Sequence, residues 1–120
     1  NRLNTPPKIS KLQLSKEQIR LLSIRKLEEL QHYLDQGNYV RKYLLILNEF
    51  LRVYYDITYR FTTKEAIQEI RKKQTNKQLI VLIDEIGYLF YMKTEPSKTE
   101  MERIIRETIK IIETIHSPKP

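Results

Sequence analysis

The stretch LIVLIDEIGYLF, Leu79 to Phe90, decides between two fold classes. An apolar run ending in Asp84-Glu85 is how a strand of a nucleotide hydrolase delivers a carboxylate to magnesium. That carboxylate works only beside a phosphate cradle, G-x-x-x-x-G-K-S/T, whose glycines let backbone N–H groups wrap the phosphates. The chain has two glycines, Gly37 and Gly87, and neither precedes a lysine. The strand–helix–strand units that surround such a site are also missing from the pattern. A helix accounts for the residues better. Leu79, Leu82, Ile83, Ile86, Leu89 and Phe90 share one side of it, with Asp84, Tyr88 and Tyr91 towards the other. The stretch therefore reads as a buried helix that happens to contain Asp-Glu.

Working outward, the flanks favour helices too. Two glycines leave little material for hairpin turns. Ser15-Lys16-Glu17-Gln18, Thr62-Thr63-Lys64-Glu65 and Ser97-Lys98-Thr99-Glu100 each have the capping-box pattern. After the first box, Ile19, Leu22, Leu27, Leu30 and Leu34 fall near helical spacing, and Gly37 supplies a stop. Asn38 is placed to cap a second helix striped with Val40, Tyr43, Leu44, Leu47, Phe50, Leu51 and Tyr54, which frays between Asp56 and Phe61. The second box opens a short helix with Ala66, Ile67 and Ile70, ending in a basic turn from Arg71 to Asn76. The third opens a helix along Met101, Ile104, Ile105, Thr108, Ile109, Ile112 and Ile115, closed by Pro118. These patterns predict an all-α fold, a single-domain bundle of about five helices over residues 15–116. A flexible basic lead over 1–14 precedes it, and 117–120 form a tail.

The net charge of +7 is unevenly spread. Arg2, Lys8, Lys11, Lys16, Arg20, Arg25 and Lys26 face a single acid, Glu17, within the first 26 residues, leaving the rest nearly neutral. Such a lead can bind nucleic acid, lie against an anionic membrane surface, or simply keep the chain in solution. The longest apolar run is broken by Asp84 and Glu85 and falls short of the roughly 20 residues of a membrane span. No apolar signal core follows Asn1, and a start without methionine suggests a fragment of a longer protein. With no cysteine there is no disulfide, thiol nucleophile or thiolate metal site, a composition that fits a reducing compartment.

Catalytic chemistry is hard to assemble from these residues. His32 and His116 are isolated, with no HxxxH or HExxH spacing to hold a metal. There is no nucleophile elbow, and each serine has a simpler role as a cap or linker residue. Glu28-Glu29 and Asp84-Glu85 are adjacent pairs, which a helix points to different sides. Elsewhere acids have basic neighbours at helical spacing, as Glu102 with Arg106 and Arg103 with Glu107. A non-enzymatic domain with no catalytic set, metal or cofactor is the expectation.

Tyrosine is the unusual feature: eight, against three phenylalanines and no tryptophan. Tyr39, Tyr43, Phe50, Tyr54, Tyr55, Tyr59 and Phe61 crowd the second helix and its exit. They read first as core residues with hydroxyls reaching the surface, next as a protein interface, and last as base-stacking aromatics between Arg41, Lys42, Arg52 and Arg60. The candidate protein interface is Tyr39, Arg41, Lys42, Tyr43, Tyr55 and Tyr59.

Laid end to end, the segments carry a resemblance. Leu51-Arg52-Val53-Tyr54-Tyr55, Phe61-Thr62-Thr63-Lys64-Glu65-Ala66, Phe90-Tyr91-Met92-Lys93 and Pro96-Ser97-Lys98-Thr99-Glu100 occur in an order that resembles the cytoplasmic domain of Bat (Bacteroides aerotolerance) operon membrane proteins, BatD-like proteins among them. The resemblance covers roughly Leu27 to Ile115. It implies a domain on the cytoplasmic side of a bacterial inner membrane, with a MoxR-type AAA+ ATPase and von Willebrand factor A proteins as partners. The basic lead would then be membrane-proximal, as the positive-inside rule expects. A small basic helical domain that binds nucleic acid is the alternative.

Overall fold

Ser15 opens the first helix with both halves of its capping box. Its hydroxyl accepts from the Gln18 N–H at 3.0 Å, and the Gln18 side chain accepts from the Ser15 N–H at 2.8 Å. This is seen in a computed structural model, which describes residues 14–57, 64–72 and 76–115. Within them the chain forms α1 (Lys16–His32), a short 3-10 turn (Leu34–Gln36), α2 (Tyr39–Tyr55), α3 (Lys64–Lys72), α4 (Lys77–Tyr91) and α5 (Lys98–Thr114). The fold is an all-α, single-domain bundle of five helices, with no strand among the described residues. Arg2, Lys8, Lys11, Tyr59, the Thr62-Thr63 cap, the turn at 73–75 and His116 onward lie outside the described residues.

The first connection differs from the sequence expectation. α1 ends at His32, so Leu34 reaches the core from the 3-10 turn rather than from the helix. Gly37 follows with φ +80° and ψ 176°, a conformation almost confined to glycine. Asn38 does precede α2, but at φ 55° it is left-handed and its side chain makes no cap bond. It acts through backbone tolerance rather than through the hydrogen bond its type suggested. Asp56, also left-handed at φ 58°, ends α2 by folding its N–H back to the Leu51 carbonyl.

Asn76 caps α4 by accepting from the Leu79 N–H at 2.9 Å, and Ser97 caps α5 by accepting from the Glu100 N–H at 3.1 Å. The Glu100 carboxylate takes Arg103 at 2.6 Å and the Tyr88 hydroxyl at 3.2 Å. On α5 the ion pairs form at i,i+3, Arg103 with Glu100 and Lys110 with Glu107, rather than at the i,i+4 spacing expected.

Packing follows the stripes. α1 lies between α2 and α5, α5 continues to α4, and α4 carries α3. Leu27, Leu47, Phe50, Leu82, Ile83, Ile86, Ile104 and Ile112 are among the fully buried side chains that join these helices. On α4 the buried side is Leu79, Leu82, Ile83, Ile86 and Gly87, with Leu89 and Phe90 only half-buried. At Gly87 α3 comes close to α4, since a Cβ there would meet Ile67 Cγ2 at 3.1 Å.

Candidate functional site

The tyrosines of α2 divide by what their rings and hydroxyls touch. Tyr43 is fully buried, and its hydroxyl lies 2.7 Å from Thr108 Oγ1 on α5. Thr108 donates its own proton to the Ile104 carbonyl at 2.8 Å, so the Tyr43 hydroxyl is the donor of the pair. Burial pushes the Tyr43 hydroxyl pKa well up. Tyr43 is therefore a core residue and not part of an interface, a correction that follows from its position on the inward side of the stripe.

Tyr39 is half-buried and donates to the Pro96 carbonyl at 2.7 Å, fixing the α4–α5 connection to the start of α2. Tyr55 is half-buried in a cluster with Phe50 and Tyr54, at 6.1 and 4.9 Å between ring centroids. Burial raises its hydroxyl to about 12. Lys16 covers the Tyr54 ring at 5.7 Å. Tyr39 and Tyr55 thus have structural partners already, while Arg41 and Lys42 are exposed.

The basic residues of α1 divide in the same way. Arg20 is not a free surface cation. It pairs with Glu17 at 2.8 Å with only 14% of its side chain exposed, and it reaches the Ile112 carbonyl at 3.5 Å. Arg25 and Lys26 are exposed and appear in no ion pair among the described residues.

Between α1 and α2 the structure has an open groove of about 430 Å³, lined by Lys26, Glu29, Leu30, Tyr33, Gln36, Lys42, Leu45 and Ile46. Its origin is a mismatch of stripe widths. Leu30 faces the core, but Tyr33, 54% exposed, and Leu45, 54% exposed, stand outside it with Ile46 half-buried between. Each helix has more apolar surface than its neighbour covers, and the excess meets at their seam. Lys26 rims the groove from α1 and Lys42 from α2. Of the residues proposed from sequence, Lys26 and Lys42 are brought together here. Arg41 stands one turn before Leu45, outside the lining. Tyr33, Leu45 and Ile46 were not singled out by sequence reasoning. The signal was present in Leu44-Leu45-Ile46-Leu47, four consecutive apolar residues where a one-sided helix accommodates fewer.

The Asp84-Glu85 pair lies within a helix, α4, and not at the end of a strand. Asp84 is exposed and pairs with Arg71 on α3 at 2.7 Å. Glu85 is half-buried, and its Oε2 is buried with no hydrogen-bond partner among the described residues. Burial raises its carboxyl pKa first. Arg103 opposes that rise, and Glu107 and Glu100 add to it. No group of three or more His, Asp or Glu positioned to hold a metal ion occurs among the described residues, nor any helix long and apolar enough to cross a membrane. Compared with known proteins, the chain matches no family model, no curated protein and no solved structure.

Proposed function

We propose that this chain is a protein-interaction domain without enzymatic activity of its own. In this reading it is the cytoplasmic part of a membrane-anchored Bat-like protein that acts with a MoxR-type AAA+ ATPase and von Willebrand factor A proteins. The observation that supports an interaction role is the α1–α2 groove, where Tyr33 and Leu45 hold apolar surface in water between two lysines. A contiguous apolar patch with a polar rim is the usual form of a docking surface. The Bat assignment is supported by the order of the sequence motifs from Leu51 to Glu100, and by a basic lead that suits the cytoplasmic flank of a membrane span.

Nucleic acid is the weaker reading because base stacking needs open aromatic faces between cations. Tyr39, Tyr43 and Tyr55, which the sequence interleaves with Arg41, Lys42 and Arg52, are buried or half-buried. A pull-down from the native organism's lysate at moderate salt, read by mass spectrometry, tests the proposal. Recovery of a MoxR-type ATPase or von Willebrand factor A proteins, retained after nuclease treatment, is the expected result. Nucleic acid that washes off steeply as salt rises, with no such protein, would overturn it in favour of the alternative.

A further inference from the structure

We infer that the α1–α2 groove seats an amphipathic helix of a partner protein whose apolar anchors are flanked by acidic residues. The inference rests on the protein-interaction reading and names the chemistry of the partner. Three observations carry it.

The first is shape. Two adjacent helices leave a trough with an apolar floor of Leu30, Tyr33, Leu45 and Ile46. A trough between two helices fits a third helix, laid in with anchors at i and i+3 or i+4. Along α1 the lining runs from Lys26 to Tyr33, the residue that caps its C-terminus, which at the helical rise is about 10 Å, or two turns. Three successive apolar anchors of a docked helix, at i, i+3 or i+4 and i+7, span that distance.

The second is charge. Several cations are held by acids of this chain, Arg52 by Glu49, Arg71 by Asp84, Arg103 by Glu100 and Lys98 by Asp35, while others such as Lys72, Lys77, Lys93 and Arg106 are scattered singly without an ion pair among the described residues. Lys26 and Lys42 on the two rims, with Arg25 and Arg41 beyond them, have no ion pair among the described residues. A helix entering between Lys26 and Lys42 meets positive charge on both sides. Carboxylates flanking its anchors would be attracted, and lysines in the same places repelled.

The third is the exception within the rim. Glu29, on α1, is the one acid in the lining among the described residues, and it lies one turn before the capping Tyr33. It asks for a single cation on the partner near the Tyr33 end and so fixes register and direction.

The test uses the full chain and three synthetic helical peptides with one apolar stripe. One has glutamates flanking the stripe with a single lysine at the end that meets Glu29, one has lysines throughout, and one has glutamines. Binding is followed by titration and by amide chemical-shift mapping. The acidic peptide is expected to bind at least tenfold more tightly than the basic one, with shifts centred on Leu30, Tyr33, Leu45 and Ile46. Lys26→Glu with Lys42→Glu should invert that preference. Leu45→Asp should abolish binding while leaving the melting curve in place, because Leu45 is exposed.

Equal affinity for acidic and basic peptides, shifts on another face, or no binding of the acidic peptide up to about 1 mM overturns the inference. So does self-association of the chain that Leu45→Asp dissolves, since the groove would then belong to a second copy. The Leu45→Asp chain used as bait separates this failure from that of the function itself. If it still recovers the ATPase or its associated proteins, the groove is not their site and the proposed function stands. If the unaltered chain recovers none, it is the proposed function that fails.

Discussion

Tyr43 and Thr108 meet in the core as a hydroxyl pair in which each has a defined role, the tyrosine giving its proton to a threonine that gives its own to the Ile104 carbonyl. The two partners are therefore unequal. Thr108→Val removes the acceptor and leaves a buried donor unpaired, at a cost of about 1–3 kcal/mol. Tyr43→Phe leaves Thr108 still bonded to Ile104 and costs about 1 kcal/mol. Combining the two should recover part of the loss from Thr108→Val, because apolar partners of matching shape replace a pair nearly neutrally. Thermal melts of the three variants check this. A Thr108→Val chain as stable as the original would mean that the Tyr43 hydroxyl finds another partner. Glu85 offers a second residue-scale prediction. Its carboxyl pKa is raised by burial, so the folded state holds the proton more tightly than the unfolded chain does. The resulting stability is fully present below the unfolded carboxylate pKa and is lost as pH rises through the raised value. At neutral pH the charged Glu85 therefore costs stability. Glu85→Gln should melt higher than the original at pH 7, and the gap should narrow as pH falls towards about 4. Glu100 runs the other way, its pKa lowered chiefly by Arg103, so its contribution is present above the ordinary carboxylate range and is lost in acid. A lower melting temperature for Glu85→Gln at pH 7 would show that Oε2 is partnered.

At the scale of elements, helices were legible because caps and stripes are local signals. Ser15 and Ser97 sit where their hydroxyls close the first turn, and the α5 stripe from Met101 to Ile112 is buried throughout. The Asp-Glu in LIVLIDEIGYLF was placed correctly because glycine spacing, which a phosphate cradle requires, is also local information. What could not be read was how widely a neighbour covers each stripe. Tyr43 and Leu45 are about 200° apart around α2, so periodicity already puts one in the core and leaves the other, 54% exposed, on the far side. What periodicity does not contain is that the outward Leu45 and Ile46 meet Tyr33 at the seam with α1, a tertiary fact. Asn38 fails to cap for a related reason. Gly37 enters α2 with an extended ψ and Asn38 itself is left-handed, so its side chain is not presented to the first turn. The candidate site was therefore half legible: its cations could be listed from sequence, but the apolar floor between them could not.

In the molecule as a whole α1, α2 and α5 close on one another, α4 packs on α5 and α3 on α4, and stability should be graded outward along that order. α1, α2 and α5 share the Tyr43–Thr108 pair, the Arg20 bond to the Ile112 carbonyl and the Gln31 bond to the Glu102 carbonyl. α3 spans only Lys64–Lys72 and packs chiefly on α4, through the buried Ile67 and Ile70 and the exposed Arg71–Asp84 pair. An isolated helix of this length is unstable in water, so α3 persists only while it is docked. A fully exposed ion pair adds little, which leaves the two isoleucines as its main attachment. Amide hydrogen exchange should then find α3 opening first, well before global unfolding, with α1, α2 and α5 the most protected. Gly87 supplies the means to test the cause. Gly87→Leu places a branched side chain where even a Cβ already meets Ile67 at 3.1 Å, and it should release α3 while α1, α2 and α5 stay protected. If α3 keeps its protection in that variant, or if the whole bundle loses protection together, α3 is an integral part of one cooperative core and the graded order is wrong.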